Sequence, residues 1–495
     1  MQSAAKRKAL VAIDLGAQSC RVSLLRWTRL QPEIEVVHRF ANEPRAIGND
    51  LRWDIHAIVE GVQTGLRRCS AGTPEGIASI AVDGWAVDYV RLDPAGNPVA
   101  PPFCYRDRRT EHAENQVHEI LSPARLYSLT GIQILRINTL YQLYADKIAG
   151  GDPRLPWLNL PEYITYRLCG HRVSEYTNAT HTGLVALGTH SWCQEIFNEL
   201  GLSAFAAPSI VPSGSVLGPL TEELATSPGL RGARVIAAAC HDTASAIAAI
   251  PAVGDDWAFI SSGTWSLVGT VLDYPCVSRE AQSLNFTNLG GVGGKMYFLK
   301  NVNGMWLLRQ CLDEWERLGI HWSLPELVAQ CVSLPAPASL IDVDDPQLLL
   351  PGHTLDKINA QLERLGQPPF VSGASLPSLV NLIFHSMAAR YAEVLASIRA
   401  ITGKNLKRLF IVGGGSQNAL LNDLTARRTR LEIRIGSPES ATIGNFAVQL
   451  AALEPSQNSS VGVSAESVAR WAEPLSGALA KNRGPRAIGD QQSSN

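Results

Sequence analysis

Residues 10–27 read LVAIDLGAQSCRVSLLRW, and this stretch decides the fold. Residues 10–15 form an apolar run typical of a strand, residues 16–19 are small and turn-like, and residues 21–27 resume with alternating character. The pattern predicts a β-hairpin whose tip consists of small residues.

A second hairpin pattern begins at Trp257, where residues 257–272 read WAFISSGTWSLVGTVL. The tip of each hairpin has a Gly after a β run, then a small residue, any residue and a Ser. One interpretation is an internal duplication, which would give two related lobes that face each other. The alternative is that two unrelated hairpins share a common Gly-bearing turn.

The remaining patterns alternate between strand and helix, which predicts an α/β protein. Strands are predicted over residues 80–82, 89–92 and 409–412, and helices over 109–120, 124–129, 140–148, 160–168, 418–424 and 463–471. Pro and Gly in residues 250–256 indicate a lobe boundary. We predict a first lobe over residues 8–250, a second over 251–455, and a C-terminal extension over 456–495 that is disordered from about residue 481.

Composition excludes several classes of protein. The 43 basic and 45 acidic residues give a net charge of −2, so neither a nucleic-acid face nor a polybasic membrane patch is expected. No uncharged apolar stretch reaches the roughly 18 residues of a transmembrane helix, and no secretion signal is recognisable. The nine cysteines include no C-x-x-C pair, which argues against zinc and for reduced thiols in a cytoplasmic protein.

The first hairpin tip could bind phosphate and metal. Backbone N–H groups at a Gly-bearing tip form a concavity for anionic oxygens. Asp14 could hold Mg²⁺ through water, and Arg21 could cap a phosphate. The alternative is a plain turn with a surface arginine.

Asp242 lies where an apolar run, residues 235–239, feeds into an alanine-rich helix. It could cap that helix, which is a common use of Asp. It could instead accept the proton of a hydroxyl group during phosphoryl transfer. The helix dipole favours the charged carboxylate, so Asp242 is expected to be ionised at neutral pH.

Two further stretches suit a nucleotide. Residues 261–266 (SSGTWS) offer small hydroxyls for β- and γ-phosphates, or simply form a Ser/Thr-rich turn. Residues 412–418 (VGGGSQN) place glycines between a strand and a helix, but they lack the G-x-G-x-x-G pattern of dinucleotide sites. Residues 290–295 (GGVGGK) lack the Ser/Thr of a P-loop and predict a flexible turn. Together the two hairpin tips, the carboxylate of Asp242 and residues 412–418 predict a nucleotide cleft between the lobes.

Eight segments in order carry a resemblance to a known family. They are WAVDY at 85–89, YRDRRT at 105–110, NTLYQL at 138–143, EYTNAT at 175–180, HDTAS at 241–245, SSGTWSL at 261–267, LKNVNGMWLL at 299–308 and VGGGSQN at 412–418. With the first hairpin, they span about residues 8 to 450. The chain resembles the FGGY carbohydrate kinases, which share a two-lobed, actin-like (ribonuclease H-like) ATPase fold with the active site in the interlobe cleft.

The resemblance implies ATP and Mg²⁺ as cofactors and assigns roles to residues. Asp242 would be the proton acceptor. The implied sugar contacts are Ala86, His241, Asp242, Thr243 and Asn301. The implied ATP contacts are Ala17, Gln18, Ser19, Cys20, Arg21, Thr264, Arg309 and Gly414, and Asp14 is the metal residue predicted above.

Within the family, the chain is most similar to the branch that converts L-rhamnulose to L-rhamnulose 1-phosphate in rhamnose metabolism. Cys20 stands where that branch usually has Gly, Arg309 replaces a usual Gln, and Gly84 and Ala86 alter a usual Thr-Trp-Gly pattern. Gly84 and Ala86 motivate a kinase for another ketose, such as L-fuculose, as an alternative. Cys20 and Arg309 motivate a second alternative, an inactive sugar-binding regulator.

Overall fold

The computed structural model describes residues 7–29, 31–350, 352–371, 376–454 and 462–480. The strands of the first half are β1 Ala9–Leu15, β2 Ser19–Thr28, β3 Gln31–Ala41, β4 Arg45–Ile47, β5 Asp50–Arg52, β6 Ile77–Gly84, β7 Tyr89–Arg91, β8 Trp157–Asn159, β9 Val173–Glu175, β10 Ser209–Val211, β11 Val216–Pro219 and β12 Arg234–Ile236. Those of the second half are β13 Trp257–Ser262, β14 Trp265–Leu272, β15 Thr287–Gly290, β16 Met296–Asn303, β17 Arg408–Val412 and β18 Glu432–Ile435.

Helices pack on both faces of the strands. They are α1 Ile55–Ala71, α2 Thr110–Ile120, α3 Pro123–Thr130, α4 Thr139–Ile148, α5 Leu160–Cys169, α6 Tyr176–His181, α7 Gln194–Glu199, α8 Glu222–Ala225, α9 Asp242–Ala248, α10 Arg279–Ser283, α11 Trp306–Arg317, α12 Leu324–Val332, α13 Thr354–Arg364, α14 Leu376–Thr402, α15 Ala419–Thr429, α16 Ser440–Ala452 and α17 Ala465–Ala480. Among the described residues, no helix is long and apolar enough to cross a membrane.

Two six-stranded mixed sheets form the centre of the molecule, in the orders β11-β12-β6-β1-β2-β3 and β15-β16-β14-β13-β17-β18. Five strands of each correspond in order and direction. In the first sheet β1 pairs antiparallel with β2 and parallel with β6, and in the second β13 pairs antiparallel with β14 and parallel with β17. The next strands outward, β3 and β12, match β16 and β18 in the same way. This shared topology supports the duplication hypothesis more strongly than the hairpin tips do.

A glycine stands at the same place in both sheets. Gly84 ends β6 beside Leu15, and Gly413 follows β17 beside Ser262. A Cβ at Gly84 would lie 2.8 Å from the Leu15 Cβ, and one at Gly413 would lie 2.7 Å from the Ser262 carbonyl oxygen. In each hairpin, the last residue of the first strand therefore packs directly against the glycine backbone of the neighbouring strand.

The apolar pattern of residues 10–15 reflects burial on both faces of a central strand. All seven residues of β1 are buried. Leu10 and Ala12 belong to a core that both halves of the chain share, whereas Val11, Ile13 and Leu15 belong to a core within the first half. Apart from Asp14, this run has no polar position, as expected for such a strand.

Helix α16 joins the two halves of the chain. It packs against α9 and against β1 and β6 of the first sheet. The Gln449 Nε2 donates to the Val11 carbonyl oxygen at 2.9 Å, and its Oε1 accepts from Ser79 Oγ at 2.6 Å. Gly444 lies so close to the Ser245 carbonyl oxygen that a side chain there would collide with it. The helix of the second half therefore completes the packing of the first sheet.

Most predicted elements are confirmed, with small differences at their ends. The predicted hairpins are β1–β2 and β13–β14, and the GGVGGK stretch is a turn between β15 and β16. The helix predicted over 463–471 is present and longer, as α17. The disorder predicted from residue 481 concerns residues outside those described, and the lobe boundaries remain a prediction.

Candidate active site

A cleft of about 290 Å³ lies between the two sheets, lined by both hairpin tips, the start of α9 and the loops after β6 and β17. It brings together most of the predicted site residues: Asp14, Ala17, Gln18, Ser19, Arg21, Ala86, His241, Asp242, Thr243, Thr264, Asn301 and Gly414. Residues separated by up to 400 positions in sequence thus meet in one place.

Two predicted ATP contacts do not line the cleft. Cys20 is fully buried in the core of the first half, because residues along β2 alternate between faces and its neighbour Arg21 takes the cleft side. Burial also raises the pKa of the Cys20 thiol, so this side chain is not a reactive thiolate beside the phosphates. Arg309 lies on α11 with 56% of its side chain exposed and pairs with Asp313 at 2.8 Å.

The first hairpin carries an ion pair across its two strands. The Arg21 Nη1 lies 2.7 Å from the Asp14 Oδ2 and 3.1 Å from the Glu439 Oε2, which comes from the start of α16. Burial raises the pKa of Asp14, while the charge of Arg21 opposes that rise. The tip is tight, since a Cβ on Gly16 would lie 2.5 Å from the Ser19 carbonyl oxygen. Both charged groups are thereby held at the floor of the cleft.

Asp242 is the first residue of α9, and it does not cap the helix. The cap position belongs to His241, whose side chain makes no capping bond, and the Asp242 Oδ1 accepts from Thr243 Oγ1 at 3.2 Å. The capping alternative is therefore wrong. Although 34% of the Asp242 side chain is exposed, desolvation by the surrounding cleft walls, followed by the charge of Asp14, raises its pKa to about 7. The raised pKa differs from the full ionisation at neutral pH expected from the helix dipole, because desolvation disfavours the charged carboxylate.

A third carboxyl group, Asp83, lies beneath the cleft and was not predicted. It is fully buried at the end of β6 beside Asp14, and its Oδ2 accepts from Asn445 Nδ2 at 2.6 Å. Burial and the negative charges of Asp14 and Asp242 raise its pKa well above the ordinary value. Asp83 thus links α16 of the second half to the carboxyl groups of the first.

An apolar wall, formed by Trp85, Ala86, Val87, Tyr105 and Ile137, lines one part of the cleft. Val87 has a φ of +72°, which is rare for a β-branched residue and costs energy. Its carbonyl oxygen accepts from Thr139 Oγ1 at 2.7 Å, so surrounding bonds enforce this conformation. Strain of this kind is common at functional sites.

Buried Asp88 holds the apolar wall from behind. Its Oδ2 accepts from the indole nitrogens of Trp53 at 2.6 Å and Trp85 at 3.0 Å, and its Oδ1 accepts from Gln142 Nε2 at 3.1 Å. Burial raises the pKa of Asp88 to about 6. The indole of Trp85 is fixed, and its ring is available as a flat apolar surface.

Asn301, His181 and His241 line another part of the cleft, and Asn301 is held by a residue of the first half. The Asn301 Nδ2 donates to the Gln133 Oε1 at 2.8 Å across the two halves. The rings of His181 and His241 pack edge to face with centroids 4.6 Å apart. Burial lowers the pKa of His181 to about 4 and that of His241 well below its ordinary value, so both rings are neutral at physiological pH. Gln133 and His181 were not predicted as site residues.

The second hairpin presents hydroxyls and backbone. The Gly263 amide donates to the Trp265 carbonyl oxygen at 2.8 Å, closing the tip, and the Trp306 amide donates to the Thr264 carbonyl oxygen at 3.1 Å. Opposite the tip, Gly414 has open space where a Cβ would stand. A flat base can therefore approach the backbone at Gly414.

Comparisons with known proteins agree with this architecture. The N-terminal domain of the FGGY family of carbohydrate kinases matches residues 9–249, and its C-terminal domain matches residues 258–453. Rhamnulokinase from Bacteroides thetaiotaomicron is 37% identical over 451 residues, covering 88% of this chain and 89% of the relative. Rhamnulokinase from Pectobacterium carotovorum is 38% identical over 453 residues, covering 90% of this chain and 88% of the relative.

Solved structures share the fold at low sequence identity. Gluconate kinase from Lactobacillus acidophilus superimposes with a TM-score of 0.73 at 16% identity, covering 96% of this chain and 97% of its own. Glycerol kinase from Plasmodium falciparum, solved with ADP, gives 0.70 at 14% identity, covering 94% of this chain and 92% of its own. The matches extend through both halves, and the chain belongs to the FGGY family of carbohydrate kinases.

Proposed function

We propose that this chain transfers the γ-phosphoryl group of ATP to the hydroxyl on C1 of L-rhamnulose, with Asp242 as general base. The observation that carries the proposal is the position of Asp242 on the cleft, with a pKa raised to about 7. A base titrating near the working pH is ionised often enough to accept a proton and basic enough to take it. The two rhamnulokinases described above support the choice of sugar.

The residues of this chain divide the work between them. Asp242 accepts the proton of the attacking hydroxyl, and neutral His241 and Asn301 orient the sugar. The backbone N–H groups of the two tips and the Arg21 guanidinium face the phosphates. Because the cleft lies between two lobes, closing it brings both substrates together and excludes water, which protects ATP from hydrolysis.

Asp14 fits the Mg²⁺ that accompanies ATP. Magnesium is commonly held by one or two carboxylates together with substrate phosphates and water. Asp14 lines the cleft at the first tip, and no group of three or more acidic, His or Cys side chains suited to a metal occurs in the described ranges. When bound, Mg²⁺ would neutralise charge on the β- and γ-phosphates.

The apolar wall supports a sugar that carries a methyl group. L-Rhamnulose is a 6-deoxy ketose, and burying its methyl group against Trp85 and Ile137 is favourable, whereas a hydroxyl there would lack partners. L-Fuculose, the second candidate, is also a 6-deoxy ketose. Gly84 does not bear on this choice because packing against Leu15 requires it. Ala86 does line the cleft.

The test is ADP release by the purified chain with ATP and Mg²⁺, with each sugar in turn. We expect turnover with L-rhamnulose, with L-fructose weaker by about tenfold because it bears a hydroxyl in place of the methyl group. Asp242→Asn should abolish most of the sugar-dependent turnover. A clear preference for L-fuculose would overturn the assignment to L-rhamnulose. Sugar binding without turnover of any ketose would instead favour the regulator.

A further inference from the structure

The segment that delivers Asp242 to the cleft extends beyond the end of β12, and His241 forms an isolated parallel bridge with Gly84 at the end of β6. Residues 237–240 connect β12 to α9 without regular structure. On one side, the Gly84 amide donates to the Cys240 carbonyl oxygen at 2.9 Å. Two N–H groups on the other side, those of Cys240 and His241, need partners because both residues are buried.

Glu175 and Thr177 bind these two N–H groups. The Cys240 amide donates to the Glu175 Oε2 at 2.9 Å, and the His241 amide donates to the Thr177 Oγ1 at 3.3 Å. The Thr177 hydroxyl in turn donates to the Glu175 Oε2 at 2.5 Å. Both residues belong to the junction of β9 and α6, and they lie 65 and 64 positions before their respective partners.

Both oxygens of the Glu175 carboxylate accept hydrogen bonds from neutral donor groups of the protein. Besides the bonds above, its Oε2 accepts from the Thr177 amide at 3.0 Å and its Oε1 accepts from Ser213 Oγ at 2.5 Å. The side chain is buried, which raises its pKa, but these hydrogen bonds favour the charged form. Charge-assisted bonds are among the stronger ones in proteins, so this carboxylate is a firm anchor.

We propose that Glu175 and Thr177 are positioning residues for the catalytic base. They hold the backbone of Cys240 and His241, and thereby fix where the next residue, Asp242, meets the sugar hydroxyl. The proposal rests on the role of Asp242 in the proposed function. Since displacing a reacting group by about 1 Å can cost roughly 100-fold in rate, a hold on the two preceding residues is sufficient to matter.

Thr177→Val is the principal test because valine has nearly the same shape and lacks the hydroxyl. We expect the sugar-dependent kcat to fall about 10- to 100-fold, since the His241 amide loses its partner. Thr177→Ser keeps the hydroxyl and should retain turnover within about threefold of the wild type. Thr165→Val is the matched control, because Thr165 is also buried and its hydroxyl donates to the Pro161 carbonyl oxygen in its own helix.

Glu175→Gln and Glu175→Ala form a second pair. The glutamine oxygen can take the place of Oε2 while its amide donates to Ser213, whose hydroxyl can turn to accept. Glu175→Gln should therefore keep most of the turnover, whereas Glu175→Ala should lose about 100-fold. If Glu175→Gln lost as much as Glu175→Ala, charge and not positioning would be the role of Glu175.

A double-mutant cycle separates positioning from general stability. With Asp242→Asn already in place, Thr177→Val should cost almost nothing further in kcat, because there is no base left to position. ADP binding, followed by the ligand-induced rise in Tm, should be unchanged in every variant. If Thr177→Val lowered kcat by the same factor in the Asp242→Asn variant as in the wild type, the inference would be overturned. Wild-type protein that turns over no ketose would overturn the proposed function along with it.

Discussion

The two hairpins occupy equivalent places in the two sheets but differ in chemistry. In the first, Asp14 pairs with Arg21 on β2 and with Asp83 on β6. In the second, the corresponding residue Ser261 pairs with Leu267 on β14 and with Val412 on β17. Two acids and a guanidinium in one lobe thus correspond to one hydroxyl and two apolar side chains in the other.

This difference teaches how a repeated fold gives an asymmetric site. The strand order, the hairpins and the glycines beside them recur, because they are needed to build each lobe. The charges do not recur. We infer that metal and proton chemistry belong to the first lobe, while the second lobe contributes backbone and hydroxyl groups for the nucleotide.

The largest difference between the two lobes is expected on substituting the first residues of the two equivalent helices. Asp242 is the first residue of α9, and Ser440 is the first residue of α16. Asp242→Asn removes the base and should lower sugar-dependent kcat about 1,000-fold. Ser440→Ala should change kcat by less than about threefold, because no proton is transferred there. Comparable losses in the two variants, measured by ADP release, would contradict the asymmetry.

The equivalent glycines Gly84 and Gly413 allow the stability of the two sheets to be compared. Gly413→Ala introduces a close contact with Ser262 at a φ of +84°, a conformation that only glycine adopts readily. We expect a loss of about 3 kcal/mol in the free energy of unfolding, measured with denaturant. Gly84→Ala adds a close contact without positive φ and should cost about 1 kcal/mol less. The reverse order would show that packing, and not backbone conformation, limits substitution here.

Substitutions at Asp14 and at Ser261, its equivalent in the second hairpin, should also affect the Mg²⁺ dependence of the rate differently. Asp14→Asn weakens the proposed Mg²⁺ contact and should lower kcat/KM about 30-fold while raising the Mg²⁺ concentration needed for half-maximal rate. Ser261→Ala at the equivalent place should cost less than about fivefold and leave the Mg²⁺ dependence unchanged. A titration of ADP release against Mg²⁺ checks both. An unchanged Mg²⁺ requirement in Asp14→Asn would remove Asp14 from the metal site.

The smallest expected effect concerns pH. Because the pKa of Asp242 is raised to about 7, the ionised fraction and therefore kcat/KM should rise about tenfold between pH 6 and pH 8. The charge of Asp14 contributes to that raised pKa, so Asp14→Asn should move the inflection to lower pH. Ser261→Ala should leave the inflection in place. A profile that falls with pH in this range would contradict Asp242 as base.

Local patterns predicted the hairpins and the helices well, because alternation and apolar runs depend on near neighbours. The same alternation places Cys20 opposite Arg21, so its position in the core was available from the sequence. The pKa of Asp242 was not available, because desolvation in a folded cleft and the charge of Asp14 are tertiary effects. Neither was the bond between Asn301 and Gln133, which joins residues 168 positions apart.

The placement of α16 on the first sheet has a consequence for synthesis. Residues Leu10 and Ala12 leave the ribosome early, but Ile443 and Phe446, which share their core, are among the later residues to be made. Until they arrive, one apolar face of the first sheet has no complete cover. Although domains commonly fold in the order of their synthesis, the first lobe of this chain can complete this core only once α16 has been made.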